Sequence, residues 1–193
     1  MARKKDFDEE AILDKAVTLF WRKGYHATSA QDLVDELKIN RSSLYNTYTD
    51  KRTLFTKSLK QYQDKQTNAM LTMLKNAGDA EVAVKKIFDG LIKESIEDQL
   101  AKGCFMVNTA VELAGQDKEI NDMVAQNNLS VEDALTDMIA KGQEAGQFST
   151  KHSARTFARF VFAAITSIKV AARSGSDAQI LHDIANVAVS SLK

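Results

Sequence analysis

Proline is absent from these 193 residues, glycine occurs only 8 times and cysteine once. Sheet proteins punctuate their many turns with proline and glycine, so their scarcity argues for a few long helices. A single cysteine excludes a disulfide-stapled scaffold and any cysteine-rich zinc site. No stretch approaches the roughly 18 apolar residues of a membrane span. The longest apolar run, Phe160-Val161-Phe162-Ala163-Ala164-Ile165, suits a buried helix face. The amino terminus, Met-Ala-Arg-Lys-Lys-Asp, is basic but lacks the apolar region of a secretory signal. A cytoplasmic protein without membrane contact is the expectation. Net charge is also missing: 26 basic side chains balance 26 acidic ones, which on its face disfavours a nucleic-acid partner.

What is present is helical periodicity broken by weak stops at Gly24, Lys38-Ile39-Asn40, Thr49-Asp50, Ala77-Gly78-Asp79, Lys102-Gly103, Gly115, Gly146 and Ser174-Gly175-Ser176. They divide an all-α chain into about nine helical segments, three short and the rest longer, a compact head on a larger helical body. Asp8 is an N-cap, Glu9 and Glu10 suit the positive end of the dipole, and Phe7 is placed to staple onto Ile12. Ile12, Ala16, Leu19 and Phe20 then share one face. Ser29 caps the next helix, Asn40 the third and Asp50 the long fourth. Two short helices, Ser29–Leu37 and Asn40–Tyr48, joined by about three residues have helix-turn-helix spacing. An ordinary helical hairpin has the same spacing.

Charge is unevenly distributed. Residues 1–60 carry 12 basic and 9 acidic side chains, and residues 61–193 carry 14 and 17. Between positions 38 and 60, Lys38, Arg41, Lys51, Arg52, Lys57 and Lys60 face only Asp50. The neutral total is therefore a basic head on an acidic body, with positive charge gathered around the third helix, as a DNA-binding head requires.

Ile12-Leu13, Ala16, Leu19-Phe20, Gly24-Tyr25, Thr28-Ser29, Leu33-Val34, Ile39-Asn40-Arg41-Ser42-Ser43-Leu44-Tyr45, Tyr48, Lys51 and Leu54 form one pattern at fixed offsets. It resembles the DNA-binding domain of the tetracycline-repressor (TetR/AcrR) family, over roughly the first 55 residues. The resemblance implies a helix-turn-helix domain over residues 1–50 and an effector-binding and dimerisation domain over 51–193. Ser29, Tyr45 and Lys51 are then phosphate contacts, and Gln31 reaches a base edge. Arg41, Ser42 and Ser43 enter the major groove in the first turn of the third helix, Arg41 in bidentate contact with guanine. Asn46 and Thr47 are additional readers, Leu44 packs the head, and Tyr48 is divided between core and phosphate rim. The arm Arg3-Lys4-Lys5 either tracks the DNA or is a solvated tail. Lys38 stands where the family usually has glycine, so a left-handed turn there costs about 1 kcal/mol or is remodelled.

Beyond residue 60 the resemblance is one of architecture. The family's last two helices pair with their copies, and here they span His152–Arg173 and Asp177–Leu192, rich in small residues. A homodimer would present two reading helices to a palindromic operator. Cys104 follows Gly103 at a helix start beside Lys102, a setting that favours the thiolate and suits a redox or electrophile sensor; a small buried core residue is the alternative. Without a second cysteine, sulfenylation or adduct formation is the workable chemistry. The other signal is a noncovalent small molecule, with Met70, Met73, Phe88, Phe105, Asn108, Glu112, Met123 and Phe157 as candidate contacts. Asn108 and Glu112 lie four and eight residues beyond Cys104, a polar pair on an otherwise apolar helix. There is no P-loop, dinucleotide fingerprint or HExxH, and His26, His152 and His182 are far apart, so neither catalysis, cofactor nor metal is expected. The implied function is a repressor released from operator DNA by an effector or by modification of Cys104. A helical ligand- or protein-binding adaptor without DNA function is the alternative.

Overall fold

The computed structural model describes residues 8–76, 78–98 and 101–193. The arm Arg3-Lys4-Lys5 and the expected Phe7 staple lie outside the described residues. Three short helices come first: α1 (Glu9–Lys23), α2 (Ala30–Leu37) and α3 (Arg41–Tyr48). α4 is one rod made of Lys51–Tyr62, a π-helical turn Gln63–Thr67 and Asn68–Lys75. Then follow α5 (Ala80–Glu97), α6 (Phe105–Leu113), α7 (Lys118–Glu144), α8 (Ala154–Arg173) and α9 (Ala178–Ser190). With the rod counted once, the described residues form nine helices and no strand.

The local signals act as anticipated. Asp8, Asn40, Asp50 and Asp79 each accept a backbone N–H from the first turn of their helix, at 2.7–3.0 Å for their shortest bonds. Ser29 and Asp32 complete a reciprocal capping box. Lys38 does adopt the left-handed conformation, with φ 56° and ψ 34°, and its N–H closes α2 onto the Val34 carbonyl at 3.1 Å. The turn is therefore built on a lysine without remodelling.

Two apolar clusters hold the molecule. The first joins Ile12, Ala16, Leu19 and Phe20 of α1 to Leu33, Leu37, Leu44, Tyr48, Leu54, Phe55 and Leu59. It does not stop at the head. Phe105, Met106 and Leu113 of α6, and Ile120 and Val124 at the start of α7, belong to the same cluster. The ring of Phe105 meets Phe55 and Tyr62 edge-on, with centroids 5.6 and 5.5 Å apart. Such pairs add about 0.5–1.5 kcal/mol each to the area they bury. The second cluster packs α5, the rest of α7, α8 and α9 through Val84, Phe88, Leu135, Ile139, Val161, Ile168 and Leu181. α7 runs through both clusters and joins the head to the body.

Candidate nucleic-acid interface and sensor cavity

α3 sits on the head with Leu44 and Tyr48 inward, which turns Arg41, Ser42 and Asn46 outward. Asn40 orders the leading edge: its Oδ1 accepts the Ser43 N–H at 2.8 Å and the Ser42 hydroxyl at 2.7 Å. Arg41 lies with its guanidinium 5.8 Å from the ring centre of half-buried Tyr45, one turn further on. Among the described residues no ion pair engages Arg41 or Lys38, and both side chains are exposed to an anionic partner. Gln31 is exposed in the first turn of α2, with its amide donating to Asp35 at 2.9 Å. Tyr48 is wholly buried, its hydroxyl has no partner among the described residues, and burial pushes its pKa up to about 12. It belongs to the core and not to the phosphate rim.

Two expected phosphate contacts have other work. The Ser29 hydroxyl donates to Asp32 at 2.7 Å, and the same carboxylate takes the Lys23 ammonium at 2.6 Å. The Ser29 side chain is thus engaged in closing the start of α2. Lys51 donates to the Tyr25 and Thr28 carbonyls, at 3.0 and 2.9 Å, and lies 4.3 Å from the Tyr25 ring centre. Its ammonium holds together the turn between α1 and α2. Most of the positive run is similarly engaged: Arg52 with Asp117 and Glu119, Lys57 with Glu9 and Lys60 with Asp64. The outward charge near α3 is therefore smaller than the sequence count.

A cavity of about 380 Å³ lies in the body among α4, α5, α6, α7 and α8. Cys104, Met70 and Met73 line it, as expected, but the other candidates do not. Phe88 is packed in the second core, Phe105 in the first, and Phe157 is likewise buried core. Met123 packs against the head cluster. Asn108 donates its amide to the Lys102 carbonyl at 2.9 Å, closing the loop before α6. Tyr62, Thr67, Asn127 and Ile165 line the cavity in their place. Only Asn127 left a signal in the sequence, a polar residue between Val124 and Val131 on the buried stripe of α7. Cys104 caps α6 without a side-chain bond into the helix, and its Sγ stands 3.8 Å from the Tyr62 hydroxyl. Burial, with Cys104 beside it, holds that phenol protonated well above its ordinary range. The Lys102 ammonium does not serve the thiol: it pairs with Asp98 at 2.5 Å and faces the Trp21 ring at 5.2 Å.

Glu112, expected beside an effector, instead reaches the head. Its carboxylate accepts the backbone N–H of Tyr25 at 2.9 Å and of His26 at 2.7 Å. Gly24 makes room: it has φ +86°, and a Cβ there would approach the Glu112 carboxylate to 3.0 Å. Nearby, Arg52 clasps Asp117 with two bonds, at 2.8 and 3.0 Å, and Glu119 with a third at 2.7 Å. α6 thus has Cys104 in the cavity wall at one end and a two-point grip on the head at the other. Eight residues separate them, about 12 Å of helix.

Residues 12–57 match the model of the bacterial regulatory proteins of the tetR family, and residues 81–187 match that of the tetracyclin repressor-like C-terminal domain. The HTH-type transcriptional regulator YezE of Bacillus subtilis is 30% identical over 193 residues, covering 100% of both chains. The HTH-type transcriptional repressor ComR of Escherichia coli is 28% identical over 184 residues, 95% of this chain and 88% of its own. Among solved structures, a cysteine mutant of the TetR-family regulator CifR, complexed with a 26-bp double-strand operator DNA, superposes with a TM-score of 0.87 over 100% of both chains at 19% identity. These relatives are regulators and not enzymes. With its two halves matched in order and the fold shared along its whole length, the chain belongs to the TetR family and is a DNA-binding transcriptional regulator.

Proposed function

We propose that this regulator is a cytoplasmic homodimeric repressor that reads a palindromic operator with α3 and releases it when the cavity is filled or Cys104 is modified. The observation that carries the reading is α6 itself, whose first turn borders the cavity and whose last turn holds the head through Glu112. An occupant pressing on Cys104, Met106 or Val107 displaces the same helix that positions the turn between α1 and α2. A thiol adduct grows into the same space, so the covalent and noncovalent signals share one output. Both act by shifting the population away from the form whose two heads fit successive major grooves.

Residues 1–50 supply the DNA-reading head and 51–193 the sensing and pairing body. Dimerisation through α8 and α9 is supported by Phe160, Val170, Ile180 and Val187, which are 45–64% exposed on those two helices. Monomers rarely leave so much apolar surface on neighbouring helices. Operator affinity is carried by Arg41, Ser42 and Asn46, with Gln31, Tyr45 and the N-terminal edge of α3 beside them. The test is selection of bound fragments from a random DNA library, followed by sedimentation of the complex. The reading requires an inverted repeat bound about 10³-fold or more above bulk DNA, with one dimer or two on each site. A chain that binds every sequence alike, or binds as a monomer, is not this kind of repressor.

A further inference from the structure

Within the cavity, the charged lining is at the mouth and three neutral polar side chains lie deep. Lys86 and Glu94 are exposed and Lys169 is half-buried, whereas Tyr62, Thr67 and Asn127 are buried. Asn127 is 5% exposed, and its Oδ1 accepts the Thr67 hydroxyl at 2.8 Å. That bond uses one end of the amide only. The Nδ2 group, two donors, bonds to no described residue, and its side chain lines the cavity. Those donors open onto the cavity, so whatever fills it, water or a ligand, supplies their acceptor.

The backbone makes room at the same place. α4 widens into its π-helical turn over Gln63–Thr67, and that turn brings Gln66 and Thr67 to the wall. Turns of this kind inside α-helices are frequent at functional sites. The protonated Tyr62 hydroxyl supplies a further donor in the same wall. Apart from Asn128 and Thr166, the rest of the lining is mainly apolar, including Met70, Leu91, Val131 and Ile165.

From this arrangement we propose that the effector is an uncharged, mainly apolar small molecule carrying a carbonyl oxygen, which accepts from Asn127 Nδ2 at the π-helical turn. The inference rests on the cavity being the effector site and adds the chemical class of its ligand. A carboxylate is disfavoured because no cation lies at the depth of Asn127 to replace the water it would lose. An ammonium is disfavoured because no described carboxylate lies at that depth either, Glu94 being at the mouth.

The probes are propiophenone, propylbenzene, benzoate and benzylammonium, read by protein melting and by the fluorescence of Trp21. That ring lies 5.0 Å from Tyr62 and is the sole tryptophan of the chain. Propiophenone should bind about 5- to 10-fold more tightly than propylbenzene, with the two ions weaker still. The Asn127→Leu/Thr67→Val double variant, which removes the buried pair together, should bind the ketone and the hydrocarbon equally. Equal binding of those two by the wild-type protein, preference for either ion, or no binding of the ketone overturns the carbonyl assignment. Val131→Phe, which fills the cavity, separates this from failure of the site itself. Ketone binding that survives Val131→Phe means that the ligand sits elsewhere, so the cavity reading falls. Loss of binding in Val131→Phe with no ketone preference in the wild type keeps the cavity and rejects the class.

Discussion

Replacing Glu112 by alanine removes the acceptor of two backbone N–H groups, those of Tyr25 and His26, and leaves them facing the space of the lost carboxylate. Hydrogen bonds to a charged acceptor contribute about 1.5–3 kcal/mol each. Here the Tyr25 bond is partly buried and the His26 bond is exposed, so the second counts for much less. A loss of about 2 kcal/mol follows, which for a chain of this size lowers the melting temperature by about 4–8 °C. The more specific effect is on coupling. If α6 moves the head through Glu112, alkylation of Cys104 by iodoacetamide should weaken operator binding in the wild-type protein. The expected factor lies in the range of about 5- to 150-fold typical of coupled sites. Glu112→Ala should retain only a small part of that factor, and Glu112→Gln, which keeps one acceptor oxygen, should fall between. Fluorescence anisotropy with a labelled operator, before and after alkylation, measures it. A variant that melts within 1 °C of wild type and keeps the full response would refute the grip, whatever its effect on affinity.

Lys51→Ala loses two bonds to carbonyl groups and a cation–π contact, and should cost about 1–3 kcal/mol of stability while changing the salt dependence of operator binding little. Unchanged melting with a slope flatter by about 0.9 would instead identify a phosphate contact. Tyr48→Phe removes a buried hydroxyl that has no partner among the described residues, so it should leave stability unchanged or raise it by about 1 kcal/mol; a loss of operator affinity would return Tyr48 to the phosphate rim. Acid should loosen the seams first. The Lys65 ammonium holds Asp14 below the ordinary carboxylate range, and Arg52 does the same for Asp117. Their contribution is complete above the unfolded value of about 4 and disappears as pH falls through the lower folded values. Melting should therefore be flat from neutral pH to about pH 5 and decline below about pH 4. An Asp117→Asn variant that declines in the same way would show that this pair is not responsible.

What could be read in advance was what neighbouring residues decide. Caps at Asp8, Ser29, Asn40 and Asp50, the apolar faces of the first helices and the left-handed turn at Lys38 depend on side chains within four positions of one another. The head was therefore legible almost residue by residue. Glu112 and Tyr25 are 87 positions apart, and Arg52 and Asp117 are 65 apart. No periodicity announces such pairs, which form only when α6 and α7 pack on the head. Lys51 lies 26 and 23 positions from the Tyr25 and Thr28 carbonyls to which it donates, so only the fold reveals those bonds, whereas the bond from Ser29 to Asp32 is local. For the cavity, Cys104 was found by its chemistry. Asn127 was not anticipated, although a polar residue on a buried stripe is a signal, and Phe88 and Phe105 face cores that their helical faces alone do not distinguish from a pocket.

Whether the first turn of α3 reads the operator is decided by comparing, base by base, the library-selected sites of wild type and Arg41→Ala. The variant should lose preference at one base pair in each half-site, worth about 1–3 kcal/mol, and keep the remaining positions and the spacing. An identical consensus for the two proteins, with affinity lowered equally at every sequence, would contradict base reading by that turn.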